Sequence, residues 1–152
     1  MDRGNTVPTA VAFIAVVAII AVCFLIVKLS VNSNNSIGKL SDMVVSINGK
    51  SYNAKVEKNK TAKMFLEQLP LTMEMQDYNE NEKFGYLYTK FKTDSKTIRK
   101  IHAGDILLYG ENTLVVAFKT FKSNDTCTLI GHIEDIDELS NGSINIIFNV
   151  AE

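Results

Sequence analysis

From Ala10 to Val27 every residue is Ala, Val, Ile, Leu, Phe or Cys, and no charge occurs between Gly4 and Val27. A stretch with no polar face cannot lie at the surface of a water-soluble domain as an amphipathic element does. Its eighteen residues, at a helical rise of about 1.5 Å each, approach the roughly 30 Å hydrocarbon thickness of a bilayer. Val7 to Thr9 lengthen the span. The expectation is a single transmembrane helix over residues 7–28, with Ala10, Phe13, Val17, Ile20, Phe24 and Val27 among the residues that anchor it. Pro8 suits its first turn, where a missing N–H leaves nothing unpaired, and Lys28 can reach the interface at the other end.

This segment divides the chain into a short tail (1–6), the span (7–28), a Ser- and Asn-rich tether (29–42) and a folded domain (43–152). Two rival readings are a cleaved secretory signal and a lipoprotein signal. The first is disfavoured by the long apolar run, by the Asp2-Arg3 start and by the lack of an Ala-x-Ala site. The second is disfavoured by Val22, a bulky residue ahead of Cys23. Lipid contact through the N-terminal helix is therefore the first expected partnership, that of a single-pass membrane protein. Basic groups flank the span almost evenly, with Arg3 and the α-amino group on one side and Lys28 and Lys39 on the other. The very short tail before one early apolar segment favours a domain outside the cytoplasm.

The domain has 13 basic and 15 acidic residues, and the whole chain 16 and 17, so no field for a polyanion follows. Its two cysteines are split between the span (Cys23) and the domain (Cys127), where they cannot pair within one chain.

Within the domain, Asn48-Gly49 supplies the positive φ angles of a two-residue turn between Met43–Ile47 and Lys50–Val56. Asn59 can cap a helix from Lys60 to about Leu69, whose Ala62, Phe65, Leu66 and Leu69 form one stripe, and Pro70 ends it. Leu71, Met73 and Met75 alternate with polar residues as in a half-buried strand. Residues 77–83 read as a polar loop, 84–91 as an aromatic strand, and 93–100 as a charged connection. Strands follow at 105–109, 113–118, 126–133 and 144–150, with a short helical turn at 134–139. About seven short strands and one helix argue for a mainly β sandwich or closed barrel.

The strong signatures of chemistry are absent: no Gly-rich phosphate loop, Cys-x-x-Cys, His-Glu-x-x-His or Gly-x-Ser-x-Gly occurs. No cofactor or metal is therefore expected. His102 and His132 read as surface or hydrogen-bonded residues, and the acidic stretch Asp77 to Glu82 lacks the ligand spacing of a calcium loop. Phe84, Tyr86 and Tyr88 run into Lys90 and Lys92, a pattern that stacks single-stranded nucleic acid. In an acidic domain at a membrane it reads instead as a strand with lysines facing water, so no nucleic-acid partner is expected.

Several phrases together resemble the bacterial cyclophilin-like domain family. They are Thr61-Ala62-Lys63 with Phe65, Leu69-Pro70-Leu71-Thr72, Met75, Asp77, Asn79 and Asn81-Glu82-Lys83. His102-Ala103-Gly104-Asp105-Ile106 and Leu108-Tyr109-Gly110 follow. Leu114-Val115-Val116, Phe118, Phe121, Thr128 and Ile130-Gly131-His132-Ile133 complete the set, which spans about Val44 to Val150. The resemblance implies a closed β-barrel with one helix packed at an end. Cyclophilins proper twist an X-Pro bond with an Arg, a His, and apolar and aromatic groups in a groove on the barrel, a set with no clear match here. Asp125, Cys127 and Leu129 stand where relatives tend to be aromatic and basic.

Two functions are expected from this. The first is a membrane-anchored, non-catalytic binding module for a peptide or protein ligand. The second is a prolyl isomerase at the membrane surface, for which Arg99, His102, Phe118 and Phe121 are the candidate groove residues.

Overall fold

The computed structural model describes residues 43–151. The expected span at 7–28 and tether at 29–42 lie outside the described residues. Among the described residues no helix is long and apolar enough to cross a membrane.

The first two strands, β1 (Met43–Ile47) and β2 (Lys50–Val56), form the hairpin that Asn48-Gly49 announces, with φ of 51° and 81° at its two turn residues. One helix follows, α1 (Lys60–Leu66). Its N-cap Asn59 accepts the Ala62 N–H at 2.8 Å and donates its own amide to the Leu129 carbonyl at 2.7 Å, so one side chain both starts the helix and ties it to the wall. Seven further strands are β3 (Leu71–Tyr78), β4 (Glu82–Tyr86), β5 (Lys96–Ile101), β6 (Asp105–Tyr109), β7 (Thr113–Ala117), β8 (Phe121–Ile133) and β9 (Ile144–Val150).

Eight of these nine strands close a ring in the order β2-β1-β9-β3-β4-β7-β6-β8, with β8 returning to β2, and every pairing is antiparallel. The mainly β, closed barrel with one helix is thus present. Closure needs Gly131: a Cβ there would lie 2.5 Å from the Lys55 carbonyl oxygen, so any side chain would push β2 and β8 apart. Alternate residues of each strand fill the interior, among them Val45, Ala54, Met75, Ile106, Leu114, Ile130 and Phe148. Phe65 of α1 meets Phe148 edge to face at 5.5 Å and seats the helix on that core.

The ninth strand lies outside the ring. β8 is thirteen residues long; its second half serves the barrel while its first half leaves the wall with β5 as a two-stranded ribbon. A second apolar cluster forms on the outer face of the barrel, where Leu107, Val115 and Ala117 meet Ile101 and Cys127 with Phe84, Ile98, Tyr109 and Phe121 against them. Strands β6 and β7 are therefore buried on both faces.

Five expectations are corrected. The helix stops at Leu66, because Gln68 and Leu69 donate three residues back, to Phe65 and Leu66, and tighten the last turn ahead of Pro70. Residues 77–83 are not a polar loop: Asn79 and Glu80 adopt positive φ in a three-residue turn, and Asp77 faces Lys83 and Tyr78 faces Glu82 across paired strands. The aromatic strand ends at Tyr86 instead of Phe91, where Leu87 and Phe91 leave the ladder and donate at 2.8 Å to the Asn112 and Glu111 carbonyls. The charged connection at 93–100 contains β5, which turns Ile98 and Ile101 to the outer cluster and its charges to water, and its partner β8 begins at Phe121, not Thr126. No helical turn forms at 134–139; Asp135 takes a positive φ, and Lys50 and Tyr52 hold Asp137 at 2.6 and 2.9 Å.

Candidate functional site

Side chains alternate along β4, so Glu82, Phe84 and Tyr86 face outward while Lys83 and Gly85 face the barrel interior. Lys83 is wholly buried and fully used. Its ammonium donates to Asp77 and to the carbonyls of Ser140 and Gly142, at 2.7 and 2.8 Å for the carbonyls, and lies 5.7 Å from the Phe118 ring centre.

Glu82 is buried too, at 2 % exposure, but on the other face, and its Oε1 has no hydrogen-bond partner. In front of it opens a cleft of about 360 Å³ lined by Tyr78, Glu82, Phe84, Tyr86, Tyr109, Thr113, Val115 and Asp125. Three rings make one wall: Tyr78 and Phe84 meet edge to face at 6.1 Å, and Phe84 and Tyr86 at 5.7 Å. Tyr78 and Tyr86 remain 52 % and 67 % exposed, so that wall is open to a visitor. Opposite, the Tyr109 hydroxyl lies 3.5 Å from Asp125 Oδ2, which the Ser123 hydroxyl holds at 2.6 Å.

Burial, reinforced by the Asp125 charge, raises the Glu82 carboxyl from its ordinary 4.5 to about 7, while the Tyr109 hydroxyl pulls the other way. The same burial, followed by the charge of Glu82, pushes the Tyr109 phenol well above its ordinary value. Burial also raises the neighbouring Cys127 thiol to about 11. At neutral pH the cleft thus holds a partly ionised acid and a neutral phenol, with a neutral thiol in the apolar cluster behind it. Among the described residues, none that lines the cleft is basic. Such a site can accept hydrogen bonds and positive charge; it contains no activated nucleophile.

The four groove residues expected for an isomerase lie elsewhere, whereas Phe84 and Tyr86 of the aromatic pattern and Asp125 line the cleft. Phe118 is in the barrel interior and Phe121 in the outer cluster, on opposite sides of the wall. Arg99 is exposed at the bulge of β5. His102 is exposed, and its backbone N–H donates at 2.8 Å to Asp105, whose other oxygen lies 2.9 Å from His132 Nδ1. Phe118 and Phe121 thus face opposite ways from the wall, and Arg99 and His102 stay open to water. Among those residues no three His, Cys, Asp or Glu side chains are placed to hold a metal ion.

Glu82 was passed over because it sits in a polar run. One signal marked it: it shares parity with Phe84 and Tyr86, so it had to lie on the same strand face as two rings.

The mainly β, closed barrel with one helix agrees with the comparison by family. The model of the cyclophilin-like family matches residues 45–149. The chain belongs to that family. Among solved structures, the cyclophilin-like domain is similar to the solution structure of a hypothetical protein from Archaeoglobus fulgidus, with a TM-score of 0.57 and 12% identity over 77% of this chain and 99% of that one. At that identity the likeness is one of fold. No curated protein matches the chain in sequence.

Proposed function

We propose that this cyclophilin-like domain is a membrane-anchored binding module and that the cleft before Glu82 is its ligand seat. The observation that carries the reading is the buried Glu82 Oε1, left without a partner at the base of an aromatic cleft. Buried acceptors in folded proteins are nearly always paired, and an orphan that faces a cavity is a place where a ligand completes the bonding. The cleft volume falls in the range of roughly 300 to 1,000 Å³ typical of small-ligand sites.

Anchoring rests on the apolar run Ala10–Val27 alone. The full chain should stay in the membrane pellet after a carbonate wash. The double variant Ala18→Asp, Ile19→Asp should leave it, since a charge at the centre of a span costs about 2.5 to 3.5 kcal/mol on the insertion scale. Wild type in the supernatant, starting after Val27, would mean a cleaved signal instead.

The chain has five Tyr and no Trp, and Tyr78, Tyr86 and Tyr109 line the cleft, so tyrosine emission reports on its occupancy. A screen of small amines, alcohols and short peptides should yield binders that change this emission and that lose affinity in Tyr86→Ala. If every binder were indifferent to Tyr86→Ala, the seat would lie elsewhere.

Isomerase action is the weaker reading, because Phe118 and Phe121 lie on opposite sides of the barrel wall while Arg99 and His102 are exposed. A protease-coupled assay on an Ala-Pro peptide decides it: the expected rate is the uncatalysed one, with relaxation over tens of seconds.

A further inference from the structure

We infer that the cleft recognises an organic cation, an ammonium or guanidinium group on an apolar stem, and that Glu82 is the residue that binds its charged end. The inference deepens the reading of the cleft as a ligand seat and rests on it.

Three independent features select that chemistry. The first is the missing donor. The Tyr109 hydroxyl acts on the Glu82 carboxyl but leaves the buried Oε1 without a bond, so an N–H or O–H of a bound group completes it. The second is charge. Glu82 and Asp125 both line the cleft and, among the described residues, no Lys, Arg or His does, so a phosphate or carboxylate would meet repulsion and no counter-charge there, whereas a cation gains from both acids. The third is the wall. Tyr78, Phe84 and Tyr86 form a continuous aromatic surface, and the negative faces of such rings attract ammonium and guanidinium groups while their area shelters an alkyl stem. A neutral apolar ligand would use the third feature and waste the other two.

Binding of a cation must then be linked to protonation. The titratable groups that face Glu82 are Asp125 and Cys127 on β8 and Tyr109 on β6; from β3 and β7 come Tyr78, Thr113 and Val115, none of them charged. With the carboxyl near 7, roughly half of the free protein is ionised at pH 7, and a cation draws the rest into the ionised form and releases a proton. Affinity should rise about tenfold per unit between pH 5 and 6.5 and level off above pH 8.

The test compares n-pentylamine, n-butylguanidine and the matched neutral 1-pentanol on the full chain in lipid nanodiscs, read by calorimetry and tyrosine emission. The two cations should bind at least tenfold tighter than 1-pentanol at pH 8, with the pH profile above. Glu82→Gln should remove both the preference and the profile. Tyr86→Ala, which alters an exposed ring and leaves the fold intact, should weaken the cations severalfold and so keeps the test valid if Glu82→Gln fails to fold. Capped peptides carrying one Lys or Arg separate the two sources of such a group. Tighter binding than the free amine assigns a basic side chain, and weaker binding assigns a small molecule.

Equal affinity for amine and alcohol, or a preference unchanged in Glu82→Gln, would overturn the cation while leaving the cleft as a seat. Silence of the tyrosine signal to cations and alcohol alike would overturn both.

Discussion

Glu82 and Lys83 are consecutive, both are buried, and they point to opposite faces of β4, yet their surroundings differ in kind. On the inner side, all three N–H bonds of the Lys83 ammonium are taken up by Asp77, Ser140 and Gly142, which pins the 140–142 loop across the end of the barrel. On the outer side, Glu82 has a second acid for a neighbour and an oxygen with no partner. A buried charge that serves the fold is saturated by the fold itself. A buried charge left open is tolerated where something outside the chain completes it, and only the outer one adjoins a cleft.

The largest effect should come from stranding the inner charge. Asp77→Asn leaves Lys83 buried without its counter-ion, and the loss should lower Tm by on the order of 20 °C, well beyond any other polar substitution in the domain. The pH dependence has a definite sign. Lys83 first, then the Gly142 N–H, hold the Asp77 carboxyl below its ordinary 3.8, so its stabilisation is present above that value and lost as pH falls through the lower, folded one. Thermal melts of wild type and Asp77→Asn should therefore converge in strong acid. Melts that stay equally separated at every pH would mean that the clasp is not electrostatic.

Next in size is the contrast between the two apolar layers, which adjacent residues of β7 report. Leu114 lies in the closed interior and Val115 in the outer cluster beside the cleft. Leu114→Ala should cost about 2 to 5 kcal/mol, because the ring of strands cannot collapse on the void. Val115→Ala should cost about 1 kcal/mol, because fewer atoms are removed and the adjoining cleft lets its neighbours relax. Urea unfolding measures both, and equal losses would make the outer layer as rigid as the barrel.

A smaller effect, of opposite sign, is expected at Glu82. Below pH 4.5 the carboxyl is protonated in both folded and unfolded chains; from there to about 7 the folded chain keeps a proton that the unfolded one has released, so stability falls as pH rises through that window. Removing the group with Glu82→Gln should thus stabilise the protein at pH 8 by about 1 to 2 kcal/mol, discounted for water in the cleft, and leave it nearly unchanged at pH 4. Destabilisation at pH 8 would show that the ionised acid is satisfied in the free protein.

How much of this contrast was legible in the sequence depends on which residues carried it. Asn48-Gly49, the Asn59 cap and the alternation of Leu71, Met73 and Met75 are local signals, and each led to the element it implied. Asp105–Tyr109 and Thr113–Ala117 said more than was taken from them: runs apolar on both faces require a layer outside the wall as well as a core within it. That layer includes β5, which is half charged and whose hydrophobic content is two isoleucines, so no window of sequence shows it. Lys83 and Glu82 looked like loop residues because polarity was read as exposure. The burial of Lys83 depends on the Ser140 and Gly142 carbonyls, 57 and 59 residues away, which no local pattern connects.

The smallest effect concerns the thiol that shares the outer cluster. Cys127 lies opposite Tyr109 on β8, is 1 % exposed, and has its pKa raised to about 11, by burial first and only afterwards by the charges of Asp125, Glu82 and Asp105. The thiolate is the reactive form, so at pH 8 iodoacetamide should modify Cys127 at least a hundredfold more slowly than a free cysteine with a pKa of about 8.5. Peptide mass analysis keeps Cys23 separate. Because Glu82 is a minor contributor to the shift, Glu82→Gln should raise the rate less than about threefold by lowering the thiol pKa a fraction of a unit. A cation seated against Glu82 should act in the same electrostatic direction while shielding the cleft. If alkylation instead accelerated tenfold or more in Glu82→Gln, the outer cluster would be opening as a whole. The acid would then be holding the ribbon on the barrel, as Lys83 holds its loop, and the contrast between the two charges would fail.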